Sequence, residues 1–112
     1  MKQEITFEEF LEIEKKLDIR IGTVIEIERV PKSSKLLKLK VSFGTEERTV
    51  VTNIGNKFTE PETTLLRSQL PFIMNLKPVT IMGIESTAMI MVAENPDGSI
   101  EVNEFTDGSK LL

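Results

Sequence analysis

The stretch Asn75 to Ala93, NLKPVTIMGIESTAMIMVA, is the most apolar part of this 112-residue chain, although a few polar residues interrupt it. Two runs rich in β-branched residues and Met lie on either side of Gly83 and the polar segment 85–87. Such runs predict two core strands joined by a bend, as in a hairpin of a β core. A Gly within a strand pattern also indicates a bulge or a close approach of a ligand to the backbone. The residues expected in the core are Val79, Ile81, Ile90 and Val92.

The composition narrows the classes of function. We expect one domain with one core over residues 1–112, because the chain is short and 39 % hydrophobic. The absence of Cys and His excludes disulfides, Cys/His zinc sites and thiolate or imidazole catalysis. We therefore predict no metal site and no cofactor, and an enzyme that uses carboxylates or Lys is the least favoured class. The chain has six Phe but no Trp or Tyr, so it has few aromatic rings for extended stacking on bases.

The charge distribution is uneven. Residues 21–93 contain 7 acidic and 9 basic residues, whereas the flanks 1–20 and 94–112 together contain 11 acidic and 5 basic residues. The central part is therefore a candidate for binding a polyanion despite a net charge of −4, and the flanks have a simpler role in solubility. We find no signal-peptide pattern and no apolar run of ~18 residues, so we expect a cytoplasmic protein with no membrane partner.

Residues 1–17 are predicted to form a helical extension. Thr6 and Glu9 have the spacing of a capping box, and apolar residues then recur at helical spacing, which predicts a helix from about Phe7 to Lys16. Its apolar stripe either packs on the rest of the domain, which is commoner in a short chain, or pairs with a second subunit. The stripe comprises Phe7, Phe10, Leu11 and Leu17, and Ile5 and Ile13 add apolar surface beside it.

Alternating patterns predict short strands through most of the remaining chain. In the first strand, the face with Ile19, Ile21, Ile25 and Ile27 is expected to be buried, and Gly22 to permit strong coiling. One helix and six or seven strands favour a small closed barrel of the oligonucleotide/oligosaccharide-binding (OB) type over an open sandwich. The strands are expected at 17–30, 36–43, 46–52, 71–75, within 75–93 and at 99–103, and a short helix is expected around 62–67. The barrel is expected over 18–93. A C-terminal hairpin and tail are expected over 94–112, with the tail itself at 106–112.

Five basic residues fall within the twelve residues 29–40, with no acidic residue among them. Lys38 and Lys40 lie two apart on a strand and point to one face, roughly 7 Å from each other, which resembles the spacing of successive phosphates. The alternative is an edge strand that Lys protects against aggregation. The cluster modestly favours polyanion binding. Its members are Arg29, Lys32, Lys35, Lys38 and Lys40.

Polar side chains within the apolar stretch form a second set of candidates. Asn75 and Lys77 precede Pro78, where they either form a turn or present an amide and an ammonium group to a ligand. The Ser86 hydroxyl lies in an apolar region and must find a partner. Met89 is either core filling or, if it faces outward, a polarisable contact for a base.

Five segments match one family pattern: LDIRIGTV at 17–24, KLLKL at 35–39, ERTVV at 47–51, NLKP at 75–78 and MGIES at 82–86. Over about residues 5–105 the chain resembles the small tRNA-binding OB-fold domains, and the pairing of NLKP with MGIES is the most specific part of the match. That family includes the module attached to many methionyl-tRNA synthetases, the related β-type subunits, free-standing dimeric tRNA-binding proteins and CsaA-type secretion chaperones.

The resemblance implies a five-stranded Greek-key OB barrel that binds tRNA by shape and phosphate backbone, without catalysis. It also implies a homodimer formed through the N-terminal helix and neighbouring strands, with methionyl-tRNA synthetase as a candidate partner. Asn53 and Ala88 stand where many members have Gly, which leaves room for a different ligand preference. The expected nucleic-acid-binding residues are Lys35, Arg48, Asn75, Lys77, Ser86 and Met89 by this match, Lys32, Lys38 and Lys40 from the charge cluster, and Asn53 from its place on the presumed ligand face.

Two functions therefore compete: tRNA binding, and a CsaA-type chaperone role in binding unfolded or pre-secretory polypeptides. Methionine-rich surfaces suit promiscuous peptide contacts because the side chain is flexible. If Met82, Met89 and Met91 face outward, peptide binding is favoured, whereas inward-facing methionines favour tRNA binding through Lys.

Overall fold

The computed structural model of the protein describes residues 1–57, 60–98 and 100–101. Most of these residues form short strands, with a helix near the N-terminus and a second helix of four residues. Neither helix in these ranges is long and apolar enough to cross a membrane. In chain order the elements are α1 (Phe7–Glu14), β1 (Ile19–Arg29), β2 (Leu37–Ser42), β3 (Glu47–Thr52), a 3₁₀ turn (Gly55–Lys57), α2 (Pro61–Thr64), β4 (Gln69–Ile73), β5 (Val79–Ile81), β6 (Ile84–Ser86), β7 (Met89–Ile90), β8 (Ala93–Glu94) and β9 (Ile100–Glu101).

Five strands form one antiparallel sheet in the order β3-β2-β1-β4-β7. The sheet curls so that its two edges approach, and the Thr87 N–H, just before β7, donates to the Thr49 carbonyl of β3 at 3.0 Å. This contact nearly closes the sheet into a barrel. The prediction of an all-β, five-stranded OB-type barrel with an N-terminal helix and short extra strands is therefore confirmed. The four strands predicted at 17–30, 36–43, 46–52 and 71–75 correspond to β1 to β4, with ends shifted by at most two residues.

A β-bulge in β1 corrects the predicted face of this strand. The register with β2 shifts between Val24 and Glu26, and Val24 is fully buried in the core. Before the bulge the core-facing positions include Gly22, because a Cβ there would lie 2.6 Å from both Val41 Cγ1 and Phe43 Cε1. The predicted burial is confirmed for Ile21, which is 1 % exposed, and Ile27 packs against the core. It is only partly met by Ile19 and Ile25, which are half-buried and lie outside the core cluster.

Only the first run of the stretch 75–93 leaves the core: residues 79–86 form a surface hairpin, whereas β7 in the second run belongs to the barrel sheet. β5 and β6 pair only with each other, and Met82 and Gly83 between them have φ values of 47° and 80°. Positive φ at both central residues is the requirement of a type I′ turn, which Gly satisfies without steric cost. Gly83 therefore marks a tight turn and not the predicted bulge. The core prediction is wrong for Val79, which is 57 % exposed, because the hairpin projects from the barrel; Ile90 and Val92 do pack against the core, and Ile81 is half-buried.

Helix α1 begins where the capping pattern predicts. Thr6 Oγ1 accepts a hydrogen bond from the Glu9 N–H at 3.1 Å and donates to the Glu9 carboxylate at 3.1 Å. The helix ends at Glu14, two residues before the predicted end, and it buries none of its residues. Phe7 is 71 % exposed, and Phe10 and Ile13 are also exposed. The apolar stripe therefore has no extensive contact with the described part of the barrel.

The remaining predictions concern the ends of the chain and the insertion after β3. The short helix lies at Pro61–Thr64, slightly before the predicted range, because Pro is favoured in the first turn of a helix. β8 and β9 pair antiparallel, and β9 lies within the strand predicted at 99–103. The tail predicted at 106–112 lies outside the described residues, and the division into 1–17, 18–93 and 94–112 remains a prediction.

Candidate nucleic-acid interface

A concave groove lies between the end of β3 and the segment 73–92, on the side of the barrel where the sheet closes. Its floor and walls are mainly aliphatic, and no acidic residue is among the described residues that line it. Five of the ten predicted binding residues line this groove: Lys35, Asn53, Lys77, Ser86 and Met89. The other lining residues are Leu36, Val51, Thr52, Ile54, Ile73, Leu76, Val79, Ile81, Thr87, Ala88, Ile90, Met91 and Val92.

Lys35 and Lys77 supply the positive charge of the groove. The backbone of Lys35 is fixed by Ser33 Oγ, which accepts from the Lys35 N–H at 3.3 Å, and by the Gly55 N–H, which donates to the Lys35 carbonyl at 2.7 Å. Lys77 follows Asn75 on the opposite wall. Neither ammonium group has an ion-pair partner among the residues that the structure describes. Because neither charge is neutralised, both remain available to an anionic ligand.

Exposed apolar side chains cover much of the groove. Met89 is 56 % exposed and Met91 36 %, and Leu76 and Val79 are exposed beside them. Met82 at the hairpin turn is equally exposed but does not line the groove. All three methionines therefore face outward, which is the orientation expected for contacts with peptides. A contiguous apolar surface of this kind is typical of a binding site.

Asn75 is occupied by bonds within the protein. Its Oδ1 accepts from the Asp18 N–H at 2.9 Å, and its Nδ2 donates to the Lys16 carbonyl. The Met74 N–H also donates to the Asp18 carbonyl, at 2.7 Å. The amide therefore ties the chain after β4 to the junction between α1 and β1, beside the groove rather than within it.

Ser86 lines the groove, but its hydroxyl is used in barrel closure. Ser86 Oγ accepts from the Val51 N–H of β3 at 3.0 Å and donates to the Ala88 carbonyl at 3.3 Å. The residue is buried, so the hydroxyl that the sequence required to find a partner has two partners.

Arg48 lies outside the groove lining, on β3, and points toward the closure of the barrel. Its Nη1 donates to the Met74 carbonyl at 2.7 Å and to the Thr87 carbonyl at 3.0 Å, while its Nε pairs with Glu46 at 3.4 Å. The side chain is only 24 % exposed. Its surroundings are those of a structural residue.

The structure divides the basic cluster of residues 29–40. Lys38 and Lys40 lie on the outer face of β2, where the register places Glu28 and Glu26 of β1 directly opposite them. These four side chains line one shallow depression. Lys40 Nζ also lies 3.4 Å from the Glu47 carboxylate of β3. Acidic neighbours across the strands therefore offset the charge that the sequence concentrates along β2.

Two further members of the cluster lie on other surfaces. Arg29 forms an ion pair with Glu62 of α2 at 2.7 Å. A hydrogen bond from its own backbone N–H and the Arg29 guanidinium hold the pKa of the Glu62 carboxyl below its usual value. Lys32 is exposed in the turn after β1, with a φ of 66°, and does not line the groove. Of the five clustered bases, the structure thus brings only Lys35 into the groove.

Sequence reasoning missed the apolar part of the site. Leu36 and Leu76 line the groove, yet neither was expected there. For Leu76 a signal exists, because a large apolar residue between Asn75 and Lys77 interrupts an otherwise polar turn. The orientation of Met91 was left open by the sequence, since this residue lies in an apolar run that is typical of a core strand.

The nearly closed five-stranded barrel, with a groove between its closing edge and an inserted hairpin, defines an OB-type ligand-binding domain. A comparison with protein families identifies the family: residues 19–111 match the model of tRNA_bind, described as "Putative tRNA binding domain". The chain belongs to this family.

The relatives agree with this assignment. The chain is 46 % identical over 100 residues to a methionine–tRNA ligase of Porphyromonas gingivalis, which covers 89 % of this chain and 14 % of the ligase. It therefore spans about one seventh of that relative's length. Among solved structures, a MetRS-related protein of Pyrococcus horikoshii is 31 % identical with a TM-score of 0.79, covering 99 % of this chain and 100 % of that one. The chaperone CsaA of Bacillus anthracis shares the fold at 23 % identity and a TM-score of 0.73, covering 98 % of this chain and 100 % of its own.

Proposed function

We propose that the chain is a non-catalytic binding module that holds tRNA in the groove between β3 and the segment 73–92. The observation that carries this proposal is the pair Lys35 and Lys77, whose charges have no acidic partner among the described residues of the groove. Membership of the tRNA_bind family selects tRNA among polyanions. On this proposal Asn53 and Met89 contact the same ligand, and the protein acts in the cytoplasm, where tRNA is used.

The experiment is a binding titration with purified total tRNA at about 50 mM and about 200 mM salt. Phosphate contacts release counterions, so a site with several such contacts loses orders of magnitude in affinity over this range. Fluorescence anisotropy of labelled tRNA measures both affinities. Absence of binding at the lower salt concentration contradicts the proposal.

A role beside methionyl-tRNA synthetase follows from the relatives. Because the matched ligase carries this domain as about one seventh of its length, we propose that the chain keeps tRNA close to such an enzyme, as one of its parts or as a separate subunit. Aminoacylation by a methionyl-tRNA synthetase lacking this domain is then measured with and without the chain. A lower KM for tRNA supports the role, and an unchanged KM contradicts it.

We further propose that the chain forms a homodimer through α1. The helix buries none of its own residues, and its exposed Phe7 and Phe10 rings, whose centroids lie 6.3 Å apart, need a cover. Light scattering at micromolar concentration is expected to give twice the 12.7 kDa mass of one chain. Phe7→Glu together with Phe10→Glu should give monomers, whereas Glu8→Gln on the same helix should not. A monomeric mass for the unchanged protein contradicts this proposal.

Peptide binding is the second candidate, because Met82, Met89 and Met91 all face outward. Such a surface suits unfolded polypeptides, and the CsaA structure shows that the same fold is found in a chaperone. Suppression of the aggregation of a model substrate tests this function, and addition of tRNA shows whether the two ligands share the groove. If the chain neither slows aggregation nor binds peptides, the candidate fails.

A further inference from the structure

One guanidinium group joins the two ends of the groove wall. The segment 75–86 leaves the barrel after Met74, turns back at the β5–β6 hairpin and rejoins it at Thr87. The Met74 and Thr87 carbonyls both accept from Nη1 of Arg48, at 2.7 and 3.0 Å. Arg48 itself is anchored on β3, where it pairs with Val41 of β2. The wall is therefore held at both ends from β3, the strand at the facing edge of the sheet.

The donors of Arg48 are almost fully used. A guanidinium has five N–H groups, two of them on Nη1, and both of these are directed at carbonyls. Nε and Nη2 face the two carboxylate oxygens of Glu46 at 3.4 and 3.5 Å. One N–H is left, and the positive charge already has an acidic neighbour. Little capacity therefore remains for a phosphate group.

We propose that Arg48 is a positioning residue, which sets the distance between the two walls of the groove and does not itself bind RNA. Leu76 and Lys77 lie two and three residues after the bridged Met74 carbonyl, so this bridge, together with the bonds of Asn75 to Lys16 and Asp18, fixes where they leave the barrel to line the groove. The binding part of the proposal rests on the tRNA-binding function proposed above. A lysine cannot replace Arg48, because a single ammonium at the end of a flexible chain does not reproduce the planar, rigid geometry of the guanidinium.

The test uses Arg48→Lys in the full chain, with Lys77→Gln as the matched example of a direct phosphate contact. The affinity for total tRNA is measured over a salt series between about 50 and 200 mM. For Arg48→Lys we expect at least a ten-fold loss of affinity with an unchanged slope of log K against log salt. For Lys77→Gln we expect a loss accompanied by a slope that is smaller by about 0.7–0.9, since one phosphate contact is removed. Wild-type affinity in Arg48→Lys, or a slope reduced as in Lys77→Gln, overturns the proposal.

A second measurement needs no RNA. Amide hydrogen exchange in Arg48→Lys is expected to accelerate in residues 76–86 and to stay unchanged in the β1–β2 ladder. Equal acceleration in both regions would show a general loss of stability and would overturn the positioning role. If the wild-type protein binds no tRNA, the proposed function fails, and the exchange experiment still decides whether Arg48 holds the wall.

Glu46→Gln is a further variant that distinguishes a positioning role of Arg48 from a direct contact of Arg48 with phosphate. It removes the acidic partner of Arg48 and leaves the bonds to both carbonyls intact. If Arg48 is a positioning residue, the tRNA affinity of Glu46→Gln should stay within about two-fold of wild type at the higher salt concentration. If Arg48 contacts phosphate, the freed guanidinium should bind RNA more tightly and steepen the salt dependence, which would contradict the proposal.

Discussion

Two pairs of lysines lie in opposite electrostatic surroundings. Lys38 and Lys40 lie on the outer face of β1–β3, directly across from Glu28 and Glu26. Lys35 and Lys77 line the groove, where no described residue carries a negative charge. The outer face is a balanced set of cross-strand pairs, while the groove retains its charge. Only the groove should attract a polyanion strongly.

The difference shows that a run of basic residues along the chain does not define a basic surface. Register decides which side chains meet, because residues directly opposite in an antiparallel pair lie about 4.5–5.5 Å apart at Cβ. The acidic partners of Lys38 and Lys40 lie on β1, ten and fourteen residues upstream. Lys77, by contrast, is isolated in the sequence and gains its importance from the hairpin that places it opposite Lys35.

The largest expected effect is therefore a contrast in tRNA affinity between two double variants. Lys35→Gln with Lys77→Gln removes both charges of the groove and should weaken binding by about 100-fold. This magnitude follows from a loss of roughly 1.5 kcal/mol for each hydrogen bond to a charged group. Lys38→Gln with Lys40→Gln should change the affinity by less than about three-fold, because Glu26 and Glu28 already offset those charges. Anisotropy titrations at one salt concentration measure both.

The two variants also serve as controls for each other, since each removes two positive charges from the same chain. A general electrostatic attraction to the whole protein would weaken binding equally in both. Equal losses, or a larger loss for the pair on the outer face, would invert the comparison and place the tRNA on the β1–β3 surface.

The groove also differs from the outer face in how it is held together, and Ser86→Ala measures this. The substitution leaves the buried Val51 N–H without its acceptor, which should lower the free energy of unfolding by about 1–3 kcal/mol. Ser42→Ala on β2 is the control, because its hydroxyl accepts a hydrogen bond from the Gly44 N–H of an exposed turn, at 3.3 Å. Urea denaturation should show a clear loss for the first and less than about 0.5 kcal/mol for the second. Similar losses of stability in the two variants would mean that the closure of the barrel at β3 depends on side-chain hydrogen bonds no more than the sheet around β2 does.

A smaller effect on RNA binding should follow when the acidic partners of Lys38 and Lys40 on the outer face are removed. Glu26→Gln with Glu28→Gln leaves Lys38 and Lys40 without their cross-strand partners, so this face gains net positive charge. We expect non-specific binding of RNA to increase by about three- to ten-fold at low salt and to vanish at higher salt, as counterion release requires. Glu12→Gln with Glu14→Gln on α1, away from lysines of β2, changes the net charge equally and should have less effect. If both variants gain equally, net charge and not local pairing governs the attraction.

The fold could be predicted from the sequence because several local patterns independently indicate the same elements. The alternation in β2, the capping residues Thr6 and Glu9, and the family segments all specify elements that the structure contains. The face of β1 was not accessible, because a bulge at Ile25 exchanges the two faces and leaves no mark in the apolar pattern. The hairpin was assigned to the core for a related reason: exposed Val79 and Met82 cannot be distinguished from buried residues by composition alone.

The site was only partly accessible. Lys35, Lys77 and Met89 were expected on the ligand face, and the structure brings them to one groove. Arg48, Asn75 and Ser86 belong to the same family pattern, but each is engaged in bonds within the protein. A sequence motif contains both kinds of residue, since a binding surface needs the contacts and also the bonds that hold them in place. Only long-range partners, such as Asn75 with Lys16 and Asp18, separate the two.

The smallest expected effect concerns Arg29, the base of the cluster that is paired by tertiary contact rather than by the strand ladder. The pKa of Glu62 is lowered by a hydrogen bond from its own backbone N–H and by the Arg29 guanidinium. A carboxyl with a lowered pKa stabilises the folded state above its unfolded pKa of about 4.5, and this stabilisation is lost as the pH falls through the lower folded value. The difference in urea midpoint between wild type and Glu62→Gln should therefore be present at neutral pH and disappear once the pH is low enough to protonate the carboxyl in the folded state as well. Because the pair is exposed to solvent, the difference should be small and should shrink at high salt. A difference that persists at low pH would show that Glu62 acts through its place in α2 and not through its charge on Arg29.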